Sequence, residues 1–170
     1  MKKLLPFILL AVFAVAFTSC SSSSTNSAEK GGEPAADKSS DGIELETLTN
    51  DKIGFTILAP KGAKVLAESE YNFTTSLPLP DKMNEINVSV GPATGEVNSV
   101  DDFKEMLGRM MAKNITKAEK TENGFMAVNE QGTLLVTVYH RAGKVTAKVT
   151  VPPSQREMAE KIAMSVTSTK

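Results

Sequence analysis

The stretch from Val145 to Val151 alternates without a break: Val145, Ala147, Val149 and Val151 on one side, Thr146, Lys148 and Thr150 on the other. Side chains in a strand point to opposite faces in turn, so this period of two belongs to a strand with one buried and one solvated face. Pro152-Pro153 ends the run, and Ala142-Gly143 turns the chain into it. Short turns between successive strands make an antiparallel sheet. The period recurs upstream. Ile53, Phe55, Ile57 and Ala59 share a face before Pro60, with Lys61-Gly62 as a turn. Tyr71, Phe73 and Leu77 do so before Pro78, and Ile86, Val88 and Val90 alternate with Asn87 and Ser89 before Gly91-Pro92. Ile43–Leu48 reads as an edge strand. Ile115–Thr121, Phe125–Glu130 and Thr133–Arg141 complete the set, the last two joined through Gln131-Gly132.

In two places the period changes. Phe103, Met106, Leu107, Met110 and Met111 stand at helical spacing, which predicts a helix from Val100 to Lys113. Ser99 and Asp102 form a capping box with Asp in place of Glu, and Asp101 and Asp102 suit the positive end of the helix dipole. Ser154 and Glu157 predict a second capping box, opening a final helix with Met158, Ile162, Ala163 and Val166 inward. Helices segregated from strands make the fold class α+β, an antiparallel sheet of about six or seven strands packed with two main helices. With no Trp and few aromatics, the core must rest on Val, Ile, Leu, Met and Ala.

The first residues carry an address rather than a fold. Lys2 and Lys3 precede an apolar run from Leu4 to Phe17, then Thr18, Ser19 and Cys20. This is the order of a secretory signal, and the run falls short of the roughly 20 residues that a membrane span requires. Phe17-Thr18-Ser19-Cys20 resembles the lipobox of bacterial lipoproteins, with Phe where that family prefers Leu. The resemblance implies removal of residues 1–19, diacylglycerol on the Cys20 sulfur, and anchoring to the cell envelope. Ser21 rather than Asp follows the cysteine, which in Gram-negative relatives implies sorting to the outer membrane, facing the periplasm. Residues 20–42 then read as a lipidated Cys and a polar tether. Ser21–Ser24, Gly31-Gly32 and Pro34 offer nothing to bury. Residues 43–170 are the single folded domain. In order of elements and in the Gly54-Phe55-Thr56-Ile57-Leu58-Ala59-Pro60 opening strand, that domain resembles the PsbP-like fold, which includes envelope lipoproteins of the DcrB kind. The resemblance implies protein binding and brings no catalytic residues.

The charge balance, 19 basic against 20 acidic residues, argues against a nucleic-acid footprint, which needs a basic stripe. Cys20 is the only cysteine, so the chain forms no internal disulfide and no Cys-based zinc site. His140 is the only histidine. A general base would suit it, but a triad needs a nucleophile and an orienting carboxylate as well, and the expectation is a strand-end histidine with a partly solvated ring. No metal site and no cofactor are expected: the carboxylates are scattered, Glu68 and Glu70 lack a calcium-loop pattern, and Asp101-Asp102 is explained by capping. Asn72, Asn87 and Asn114 open chance N-x-Ser/Thr triplets. Met106, Met110 and Met111 read as core, with an adaptable binding surface as the alternative. The remaining feature is the polar phase of the last hairpin. Thr137, Tyr139, Thr146, Lys148 and Thr150 fall on one side and, if no helix covers it, form a hydrogen-bonding platform for another protein. The expectation is therefore a non-enzymatic envelope lipoprotein that binds a protein partner or assists assembly. The alternative is a carrier of lipid or a small ligand, which requires a concave apolar pocket.

Overall fold

A computed structural model describes residues 37–38, 42–81 and 83–170. The signal segment, the lipobox and Cys20 lie outside these residues. The chain in the described part is α+β, with two antiparallel sheets and two α-helices.

The smaller sheet joins β2 (Glu44–Asn50), β3 (Phe55–Pro60) and the two-residue β11 (Thr167–Ser168) in the order β2-β3-β11. The pair β1 (Asp37–Lys38) extends its edge by pairing with Leu45 and Glu44. The larger sheet contains β4 (Lys64–Glu68), β5 (Phe73–Pro78), β6 (Glu85–Pro92), β7 (Ile115–Thr121), β8 (Gly124–Gln131), β9 (Leu135–Ala142) and β10 (Val145–Val151). Its spatial order is β4-β5-β6-β10-β9-β8-β7. Hairpins build the two halves locally, and the β6–β10 pairing, Val145 opposite Pro92 through Thr150 opposite Asn87, joins them. The single sheet expected from alternation is thus divided in two.

The alternation fixes which side of the large sheet is dry. Val145, Ala147, Val149 and Val151 are buried, together with Ile86, Val88 and Val90 of β6 and Val136 and Val138 of β9. This inner face packs against the small sheet, where Phe55 meets Phe73 edge-on with ring centroids 5.5 Å apart. It also packs against α2 (Arg156–Met164), which buries Met158, Ile162 and Ala163 as the helical spacing predicted and Ala159 besides, while Val166 is buried just past the helix end. Burying a side chain the size of Val149, Met158 or Ile162 fully stabilises the fold by roughly 1.5–3 kcal/mol, and an alanine by less.

Among the described residues, the outer face is covered at one end only. Helix α1 (Val100–Arg109) sets Phe103 and Leu107 against Ala127 and Tyr139, over β8 and β9. Its start is the predicted capping box: the Ser99 hydroxyl accepts from the Asp102 amide at 3.1 Å, and the Asp102 carboxylate accepts from the Ser99 amide at 3.0 Å. Its end comes four residues before the expected Lys113. Met110 is the C-cap, and Met111 enters the left-handed region at φ 68°. The amides of Ala112 and Met111 then bond the carbonyls of Leu107 and Gly108, which closes the helix in a Schellman turn. Met110 and Met111 therefore stand in solvent, 54% and 76% exposed, instead of in the core. The second expected capping box does not form. Pro153–Gln155 make a turn of 3-10 helix, and Gln155 caps α2 without a side-chain hydrogen bond. Ser154 thus lies one residue too early to cap.

Candidate functional site

The five residues of the predicted platform do share the outer face. Lys148 lies opposite Tyr139, Thr150 opposite Thr137 and Thr146 opposite Arg141. They do not share the same access to solvent. Tyr139 is only 5% exposed because Phe103 and Leu107 of α1 lie over it, and that burial pushes its phenol pKa up. Thr137 is 1% exposed, its hydroxyl 3.2 Å from that of Thr150. The platform is therefore corrected: Lys148 is exposed, Thr146 and Thr150 are half-buried, and Tyr139 and Thr137 are structural.

What remains open is the other half of the outer face, over β5, β6 and β10. There a groove of about 560 Å³ is lined by Pro78, Met83, Asn84, Glu85, Asn87, Ser89, Leu135, Lys148 and Thr150. Its floor is polar and internally bonded. The Ser76 hydroxyl donates to Glu85 Oε2 at 2.6 Å, Asn87 Nδ2 donates to Glu85 Oε1 at 3.4 Å, and the Thr74 and Ser89 hydroxyls lie 2.8 Å apart. The rims are apolar. Met83, 90% exposed, stands in the β5–β6 connection, and Leu135, with its exposed neighbour Leu134, stands at the β8–β9 turn. The groove thus sets apolar side chains at two edges of a polar floor whose hydrogen bonds are already made. The sequence reading missed Asn87, Ser89 and Glu85 as members of this site. Their polar phase in β6 was visible, but the pairing that puts them beside Lys148 and Thr150 spans more than fifty residues.

His140 is not at a solvated strand end. It is 1% exposed on the inner face. Its Nδ1 lies 3.1 Å from the Ala163 carbonyl and its Nε2 lies 2.9 Å from the Thr121 hydroxyl. A carbonyl can only accept, so Nδ1 carries the proton and Nε2 accepts from Thr121. Desolvation lowers its pKa, partly offset by the bond to Ala163. A neutral imidazole with both nitrogens engaged fastens β9 to β7 and to α2. Among the described residues no group of three His, Cys, Asp or Glu side chains is gathered for a metal ion, and no helix is long and apolar enough to cross a membrane.

A second groove lies at the end of α1, walled by Glu96, Asp102, Glu105, Met106, Arg109 and Met110 together with Thr94 and Gly95. The Arg141 guanidinium holds that loop in place, donating to the Thr94 carbonyl at 2.9 Å and the Gly95 carbonyl at 2.6 Å. No protein-family model matches the chain, and no curated protein matches it.

Proposed function

We propose that the chain is an exported lipoprotein, anchored to the cell envelope through Cys20, whose domain binds a protein partner without catalysing a reaction. The observation that carries the partner-binding reading is the uncovered half of the large sheet, where Lys148 and a satisfied polar floor lie between Met83 and Leu135. Hydrogen-bonding on its floor and rimmed by apolar side chains, such a groove can exclude water from a contact without first having to repack. The lipobox-like Phe17–Cys20 segment supports the anchor, and the PsbP-like likeness of the Gly54–Pro60 strand supports protein binding. In a Gram-negative envelope, Ser21 implies on the same reading an outer-membrane anchor facing the periplasm.

Crosslinking of the anchored protein in its native envelope, followed by mass spectrometry, tests it. The expected result is one dominant protein partner, lost when Lys148→Glu reverses the groove's exposed cation. A partner retained by Lys148→Glu and by Met83→Asp overturns the site. Cys20→Ala is expected to move the protein out of the membrane fraction, and unchanged membrane retention overturns the anchor. The alternative reading is a carrier of lipid or a small ligand. It predicts a co-purifying small molecule in native mass spectrometry and no specific protein crosslink.

A further inference from the structure

We propose that the C-terminal end of α1 is a second docking surface, built for a basic amphipathic segment of a partner protein. The first observation is Met111. Position C′ of a Schellman turn favours glycine, because a side chain in the left-handed region crowds the backbone at a cost of roughly 1–2 kcal/mol. Here that position holds a methionine at φ 68°. Its side chain is 76% exposed, so packing offsets little of that cost. Met110 beside it is 54% exposed. Ala112 and Leu107 already supply the apolar contact that closes the turn.

The second observation is the adjoining groove and its charge. Met106 and Met110 line it with thioethers, which are flexible and polarizable and so adapt to varied apolar surfaces. Glu96, Asp102 and Glu105 line the same groove. The one cation in the wall, Arg109, is paired with Glu105. Arg141 beneath it donates to the Thr94 and Gly95 carbonyls and the Met106 sulfur and keeps its charge, so three carboxylates stand against two guanidinium groups and the groove holds an acidic excess. Hydrogen bonds from the Asn98 and Ser99 backbone amides and the Ser99 hydroxyl hold the Asp102 carboxyl below its ordinary pKa. Methionines beside a carboxylate rim select an occupant with apolar side chains on one face and Lys or Arg on the other. An amphipathic helix presents that pattern.

Methyl NMR of the full chain, carrying ¹³C-methyl methionine and held in phosphatidylcholine nanodiscs, reads the site directly. The probe is a synthetic Leu/Lys amphipathic helix, with a Leu/Glu helix of the same pattern as control. The expected result is saturable movement of the Met106, Met110 and Met111 methyl signals with the basic probe, weakened by salt, while Met83 stays still. Met110→Ala with Met111→Gly should weaken binding by about tenfold or more, as should Glu96→Gln with Glu105→Gln. Met111→Gly alone should raise the melting temperature, since it relieves the left-handed backbone. Equal movement of Met83, equal binding of the Leu/Glu helix, or binding explained by empty nanodiscs overturns the proposal. A melting temperature lowered by Met111→Gly also overturns it, because the methionine would then serve the fold.

Discussion

Replacing His140 with alanine removes a ring that is buried to 1% exposure, together with two hydrogen bonds, to Thr121 and to the Ala163 carbonyl. Each neutral hydrogen bond contributes about 1 kcal/mol net. Loss of the ring's packing, with partial collapse of the cavity, adds about 2 kcal/mol by comparison with other large-to-small core changes. The expected loss is therefore on the order of 3 kcal/mol at about pH 7.5, a large share of a typical domain's 5–15 kcal/mol. The loss should depend on pH. The folded imidazole has a lowered pKa, so between that value and the unfolded value of about 6.5 the unfolded chain binds more protons. Wild-type stability then falls as pH drops below about 6.5, by at most about 1.4 kcal/mol per pH unit for one group. The alanine variant lacks this term, so the gap between the two proteins narrows toward about pH 5. Urea unfolding followed by circular dichroism suits a chain without Trp, and the single imidazole gives one unambiguous NMR titration. A gap that stays constant from about pH 7.5 to about pH 5, or a folded imidazole that titrates at or above 6.5, refutes the reasoning.

Ser99→Ala removes the hydroxyl that accepts from the Asp102 amide and should cost about 1 kcal/mol in chemical denaturation, with hydrogen exchange accelerated in α1 before the rest of the domain. Gly124→Ala should be far more damaging than a surface change, because a Cβ there would stand 1.8 Å from the Arg141 carbonyl oxygen across the β8–β9 ladder. Backbone must move to admit it, and a cost of about 3 kcal/mol in a thermal melt is expected. A Gly124→Ala protein as stable as wild type would mean that the strands are not held in this register. Arg156→Ala separates the guanidinium from Glu130 and Glu160, at 2.7 Å and 3.0 Å. All three side chains are partly solvated, so the loss should stay below about 1 kcal/mol and shrink further in high salt.

How legible the molecule was depended on the range of the interaction involved. Strand β10, the inward residues of α2 and the Ser99–Asp102 box follow from side chains a few positions apart, and the structure has them as read. Strand β4 escaped because Lys64–Glu68 lies at the sheet edge with four of its five residues exposed, which leaves no alternation to detect. The two residues of β11 are too few to carry a period. The division into two sheets, and the meeting of β6 with β10, depend on partners distant in sequence. The site shared that limit. Lys148 and Thr150 could be placed on a face by phase alone, but phase could not say that α1 takes Tyr139 out of it. His140 was misjudged for the same reason: its place near the end of a strand suggested water, yet α2 closes over that end. Met110 and Met111 kept helical spacing beyond the last helical turn, so their periodicity overstated the core.

The β6–β10 junction also sets an order on assembly. Strand β6 offers one edge to β5 at once, but its other edge must wait for a strand that begins more than fifty residues later. Whenever the chain is delivered from its N-terminus, as in synthesis or translocation, Ile86, Val88 and Val90 lie beside a bare ladder until Val151 has emerged. Pairings of such separation slow folding, and open edges recruit foreign strands. The interval between the emergence of β6 and that of β10 is thus the part of this protein's life in which a chaperone would matter most.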